Sequence, residues 1–213
     1  MTPACPGAAD RLSQLLATLP RYCPAEQRFA LQLYRRLATG EPVPRAALAA
    51  EEALWQRFAG RLRDDAAGRV VAFGGLSLLP TAHRMEVAGR LLYAWCAWDT
   101  LFLPALLQQP ARVTSSCAVT ATPVCLEVTP QRLARCQPAS AVVSFVVPAA
   151  WEGDVVAAFC CHVRFFRDLA TGRQGLASHP EAWLLPVAEA FALGQRKVAL
   201  QFDAVALGQC EAC

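Results

Sequence analysis

The sequence contains no run of roughly 18 uncharged apolar residues, the length that crosses a bilayer as a helix. Its nearest approach, residues 91–107, is interrupted by Asp99 and by Pro104 in mid-segment, and reads as a buried core helix. A membrane function is therefore not expected. The opening MTPACPGAAD has no basic cluster leading into a long apolar stretch, so no secretory signal is evident and the expected compartment is cytoplasmic. Blocks of like charge are absent, and the formal net charge is only +3, which argues against a nucleic-acid tail or an acidic substrate. There is no phosphate-binding glycine loop and no dinucleotide fingerprint. Charged residues are scarce at 17%, whereas hydrophobic residues reach 55%, enough for a substantial core.

What the chain has in plenty is thiol. It carries 10 cysteines in 213 residues. That is too sparse for a disulfide scaffold and frequent for a reducing compartment, where thiols stay free. Free thiols in such number suggest soft-metal binding or thiol catalysis. Against this stands the plainer reading of each cysteine as a small buried hydrophobe.

Residues 1–24 read as a loose extension holding one short helix, capped by Asp10 and ended by Pro20. Residues 25–38 have helical apolar spacing through Phe29, Leu33 and Leu37, and Gly40 stops them. Two more short helices are expected over residues 45–49 and 51–62. "GRVVAFGGLSL" and "HRMEVAGRLLYAW" then read as a strand pair. Three helices followed by a two-stranded wing is the order of a winged helix-turn-helix, so residues 25–90 are expected to be winged-helix-like. Glu51 and Glu52 open the would-be recognition helix and suit phosphates badly, so no nucleic-acid partner is expected.

Residues 91–205 change character. "RVTSSCAVTATPVCLEVTP" predicts two Val- and Thr-rich strands, and "ASAVVSFVVP" a strand covered on both faces. "EGDVVAAFCCHVRFF" predicts a short helix running into a strand, and residues 186–201 a final helix. The expected class is α+β: a winged-helix-like helical domain, then an α/β domain of small mixed or antiparallel sheets. Residues 206–213 form a cysteine-containing tail.

The stretch "LYAWCAWDTLFLPALL" places Cys96 and Asp99 three residues apart, on one face of a helix if both lie on it. With a strand ending near Trp95, Cys96 starts the helix, which predicts a lowered thiol pKa. Apolar neighbours predict a raised pKa for Asp99, so the pair should tend to share one proton. The plainer alternative is a buried cysteine beside a helix-capping aspartate. In "FCCHVRFF", Cys160 and Cys161 point different ways, so only one faces a given pocket, and His162 adds a third possible ligand. The usual zinc-knuckle spacing is missing there and occurs only in the tail, at Cys210 and Cys213. Cys117, Cys125 and Cys136 read as packing or loop thiols, and His83 and His179 complete no recognisable triad.

These stretches, with "ARVTSSCAVTATPV" and "EAFALGQ", resemble the bacterial alkylmercury (organomercurial) lyases in order and interval, from about residue 29 to residue 195. The resemblance implies protonolysis of a carbon–mercury bond to give a hydrocarbon and Hg(II). It implies no organic cofactor. It implies that Cys96, Asp99 and Cys160 form the catalytic and mercury-binding site, with Cys117 structural and Cys161 dispensable. An organomercurial substrate, small cytosolic thiols and a mercuric reductase as Hg(II) acceptor are the implied partners, and the Cys210/Cys213 tail could assist the handoff. Trp95, Trp98 and Phe102 are candidate wall residues. The rival readings are a soft-metal carrier, which would not need Asp99, and a winged-helix metal-responsive regulator.

Overall fold

The computed structural model describes residues 8–148, 151 and 153–203. The loose start of the chain and the Cys210/Cys213 tail lie outside them. Two helices open the fold, α1 (Ala8–Thr18) and α2 (Pro24–Leu37). Pro24 occupies the first turn of α2, where a missing N–H leaves nothing unsatisfied, and Glu26 reaches back to accept the Cys23 N–H at 2.8 Å. The buried face of α2 carries Phe29, Leu33 and Leu37 at helical intervals.

The next segment departs from expectation. Residues 45–49 form only a 3₁₀ turn at Arg45–Ala47, because β1 (Val43–Pro44) is already committed to the sheet. The helix expected to reach residue 62 stops early: α3 (Glu52–Arg57) gives way to a 3₁₀ turn at Ala59–Arg61 and then β2 (Leu62–Asp64). Phe58 there turns fully inward against the rings of Tyr22, Phe29 and Phe73. Gly60 lies so close to the Gly153 carbonyl that a Cβ would fall 1.8 Å from its oxygen.

The main sheet is wholly antiparallel. Its remaining strands are β3 (Arg69–Phe73), β4 (Leu76–Ser77), β5 (His83–Val87), β6 (Arg90–Ala94), β7 (Ala111–Ser116), β8 (Pro123–Val128) and β9 (Leu133–Gln137). They run in the order β1-β3-β4-β6-β5-β7-β8-β9, with β2 on β3. Each of the two stretches read as single strands is instead a hairpin, turned at Gly74–Gly75 and at Ala88–Gly89, all four residues at positive φ. β5, β7 and β8 alternate buried and exposed residues, as a sheet with one wet face requires. β9 was not foreseen, because "LARCQ" lacks that alternation and stays half-exposed.

α4 (Asp99–Leu107) is buried at every residue and packs between α2 and α7 (Val187–Gln201). Gly194 of α7 permits the approach: a Cβ there would sit 3.1 Å from Cβ of Phe102. The Trp98 indole fastens the same contact by donating to the Ala190 carbonyl at 3.0 Å. The second sheet, also antiparallel, sets β10 (Val142–Phe145) between β11 (Phe165–Phe166) and β12 (Trp183–Pro186). All four residues of β10 are buried, in keeping with its continuous apolar run. The short α6 (Leu169–Gly175) packs on this sheet, and α5 (Val155–Ala158) packs against the 3₁₀ turns at Ala59–Arg61 and Cys160–His162. The architecture is thus α+β, of helices and antiparallel sheets. Among the described residues, no helix is long and apolar enough to cross a membrane.

The Phe58 ring joins Tyr22, Phe29 of α2 and Phe73 of β3. Phe58→Ala is therefore expected to lower the unfolding free energy by about 3–5 kcal/mol in a denaturant titration. Leu79→Ala, at a side chain 51% exposed, should stay within about 0.5 kcal/mol of the parent.

Candidate active site

β6 ends at Ala94, and the chain crosses to α4 in four residues. The Trp95 N–H donates to the Gly75 carbonyl at 2.8 Å, and the Ala97 N–H donates to the Val163 carbonyl at 3.2 Å. The second bond ties this crossing to the chain that carries Cys160. Asp99, the first residue of α4, folds back so that Oδ2 accepts the Cys96 N–H at 2.9 Å. Its carboxylate also lies against Gly75, where a Cβ would stand 2.5 Å from Oδ1; that glycine has φ +104°. Cys160 arrives from the other direction, on a 3₁₀ turn (Cys160–His162) that follows α5. α5 is capped by Asp154, which accepts the N–H groups of Val156 and Ala157.

The two crossings bring three reactive groups together. The ligating atoms of Cys96, Asp99 and Cys160 all lie within 4.8 Å of one another, and all three residues are buried. Beside them is a small cavity of about 40 Å³ walled by aromatic rings, among them Tyr34, Phe73, Trp95, Trp98, Phe102 and Phe159. Asp99 and Cys160 line it directly, together with two cations, Arg61 and Lys197.

Burial sets the electrostatics. Asp99 is pushed up to about 6 by desolvation, against the opposing pull of its bonds to Cys96 and the charge of Lys197. Cys96 does not have the lowered pKa expected of a helix start. Desolvation, its hydrogen bond with Cys160 and the nearby Asp99 charge hold it well above the usual thiol range. Cys96 precedes the N-cap residue Trp98 and has no exposure to solvent, and its own N–H is given to Asp99. For Cys160 the hydrogen bond with Cys96 pulls downward, but desolvation and Asp99 outweigh it and the net shift is upward. Burial thus favours the protonated form of both thiols until a metal binds. A soft metal must displace those protons, and a carboxylate stands within reach to receive one.

The other candidates fall elsewhere. Cys161 faces outward, its thiol donating to the Ala157 carbonyl at 3.1 Å, so it does not join Cys160 and His162 in a ligand set. Cys117 is buried in a satellite cluster with Val142 and Phe166. Cys125 is exposed on β8, and the half-buried Cys136 donates to the Pro138 carbonyl at 3.3 Å. His83 pairs its Nδ1 with Ser115 Oγ at 2.8 Å, and burial lowers its pKa to about 4. His179 pairs with Glu181. Among the described residues, no other trio of His, Cys, Asp or Glu is placed to hold a metal ion. Lys197 and Arg61 were not singled out from sequence. For Lys197 a signal existed, since it shares helical spacing with the buried Ala190, Gly194 and Gln201.

The chain is similar to known proteins in both sequence and fold. The family model for alkylmercury lyase (MerB) matches residues 76–199, a span that contains all three clustered residues. An alkylmercury lyase of Pseudomonas putida is 41% identical over 170 residues, covering 76% of this chain and 79% of the relative. One from Staphylococcus epidermidis is 42% identical, covering 76% and 78%. In fold, the chain is similar to the crystal structure of the mercury-bound form of MerB2, with a TM-score of 0.71 at 24% identity, covering 87% of this chain and 94% of that one. The chain belongs to the alkylmercury lyase family, enzymes that break the carbon–mercury bond of organomercurials.

Proposed function

We propose that Cys96, Cys160 and Asp99 perform the cleavage as two mercury ligands and one proton carrier. The observation that carries this reading is the convergence of two thiols and a carboxyl, from distant parts of the chain, within 4.8 Å. One thiol first displaces the group that accompanies the organomercury cation, and its proton leaves with that group. The second thiol passes its proton to the Asp99 carboxylate and joins mercury as a thiolate. Soft sulfur donors then push electron density toward carbon. The carbon–mercury bond breaks with its electron pair on carbon, which takes the proton from Asp99 and leaves as a hydrocarbon. Hg(II) remains between two thiolates, and Asp99 is again ionised.

The aromatic wall supports this sequence of steps in two ways. It raises the pKa of Asp99, so that the acid holds a proton at the moment of need. It also offers an apolar seat for a methyl, ethyl or phenyl group. The reaction as drawn requires no organic cofactor. Two thiolates bind Hg(II) tightly, so release calls for a competing small thiol or a mercuric reductase, in a reducing cytoplasm that keeps the pair free. The finer reading of the fold is a winged-helix-like segment over residues 25–90 joined to a catalytic segment over residues 91–205. The order α2, α3, then the β3–β4 hairpin supports it.

Asp99→Asn should bind Hg(II) yet release hydrocarbon at least about 10²-fold more slowly. Headspace detection of benzene from phenylmercury with excess thiol measures this. Undiminished release would overturn the role of Asp99 as the proton carrier. Cys160→Ser should likewise abolish turnover, whereas Cys161→Ser should leave it intact in the same assay.

The same acid has a stability signature. Its folded pKa is about 6, against an ordinary 3.8, so between those values the folded state binds more protons than the unfolded one. Stability contributed by this group is therefore present below about pH 4 and lost as pH rises through about 6. Asp99→Asn should remove that decline, seen as a gain in melting temperature at pH 7.5 that shrinks toward pH 4.

A further inference from the structure

Lys197 is a basic side chain placed where the reaction as proposed moves a negative charge. It projects from the buried stripe of α7 into the cavity that Asp99 and Cys160 line, and it is only 9% exposed. Lysine is almost never buried without a charged partner. Its Nζ stands 3.7 Å from the centroid of the Phe102 ring, one of the walls of that cavity. Burial lowers its pKa to about 7; Asp99 from α4 pulls it back up, Arg61 pushes it down, and Cys96 from the crossing before α4 and Cys160 from the 3₁₀ turn pull it up. The ammonium form is therefore favoured as negative charge gathers on the acid and the thiols. Arg61 lies toward the rim. It donates to the Tyr22 hydroxyl at 3.0 Å and its guanidinium lies 5.8 Å from the Trp151 ring centroid. Lys197 is the cation at depth.

Charge accounting for the cleavage steps gives the lysine a task. An organomercury cation held by two thiolates carries a net charge of minus one, with Asp99 protonated and neutral. After the proton moves to carbon, Hg(II) between two thiolates is neutral and Asp99 is the carboxylate. One negative charge is therefore present before and after bond cleavage, and it moves only from the mercury complex to the neighbouring acid. In an apolar cavity an uncompensated charge is costly. A cation facing both locations lowers that cost throughout the transfer.

We propose that Lys197 is an electrostatic positioning residue, its ammonium serving as the counter-charge that lets the second thiol join mercury and the carbon–mercury bond break. Lys197 touches neither the mercury nor the leaving carbon. It acts through Asp99 and the thiolate pair, from the helix packed against the one that carries Asp99. The inference rests on the roles proposed above for Cys96, Cys160 and Asp99.

The test compares the full-length enzyme with Lys197→Met and Lys197→Arg, using phenylmercury at one equivalent in the presence of a small thiol. Two quantities are read: the stoichiometry of phenylmercury capture, and the single-turnover rate of benzene release per captured equivalent. Circular dichroism and the melting temperature of each variant confine the comparison to folded protein, since the exposed Cys23, Cys125 and Cys161 also capture phenylmercury. Met keeps an apolar stem against Phe102 without the charge, and Arg keeps the charge. The expected result is unchanged capture with release slowed by about 10- to 100-fold in Lys197→Met, in the range of other single groups that stabilise developing charge. Lys197→Arg should recover most of the rate, which a purely structural role would not predict. Release at the parent rate in Lys197→Met would overturn the proposal, as would equal slowing in Lys197→Arg. Parent enzyme that fails to release benzene would instead remove the underlying three-residue reading, so the two failures are distinguishable.

Discussion

A carboxyl group with one backbone hydrogen bond, enclosed by tryptophan and phenylalanine, is the costliest feature of this fold. Asp99 accepts the Cys96 N–H and lies against Gly75, where no side chain could be tolerated. Much of the surrounding structure is arranged to keep that acid in place. The Gly74–Gly75 turn makes room for it, the β6–α4 crossing presents it, and α7 packs behind it through Gly194. The same enclosure raises its pKa to about 6, which suits a carboxyl that, in the proposed steps, takes a proton from a thiol and gives it to carbon.

The thiols follow an opposite logic. Many reactive cysteines are activated in advance by a lowered pKa. Here burial leaves both Cys96 and Cys160 protonated. Activation must come from the metal, whose affinity for sulfur displaces the protons only when substrate is present. Such a site holds no exposed thiolate to be oxidised. Under the proposed steps it also couples mercury binding to delivery of a proton to Asp99. The hydrogen bond from Ala97 to the Val163 carbonyl is part of this arrangement, since it joins the two chain segments that carry the sulfurs.

The family-matched span, residues 76–199, contains Cys96, Asp99 and Cys160 as well as Lys197, which enters the site from α7. Buried at a cavity wall, Lys197 places an ionisable amine, its pKa lowered to about 7 by desolvation against the upward pull of Asp99, beside the acid and the two thiols. Its position follows from α7 packing on α4, so the electrostatics of the site depend on a helix contact as well as on the residues that touch the substrate.

Local signals decided a good part of this. Apolar spacing placed α2 and α7, alternation placed β7 and β8, and a continuous apolar run placed the buried β10. The motifs around Cys96, Asp99 and Cys160 singled out the trio and the resemblance. Other features depended on groups far apart in the chain. α3 ended early because Phe58 is drawn into an aromatic cluster built by Tyr22, Phe29 and Phe73. Each predicted single strand became a hairpin at residues with positive φ. The sign of the Cys96 shift reversed because burial, a tertiary property, outweighed proximity to a helix start. Spacing along the sequence says which side chains share a face. Only the packed structure decides which faces meet, how much water is left between them, and so which protons the site can keep.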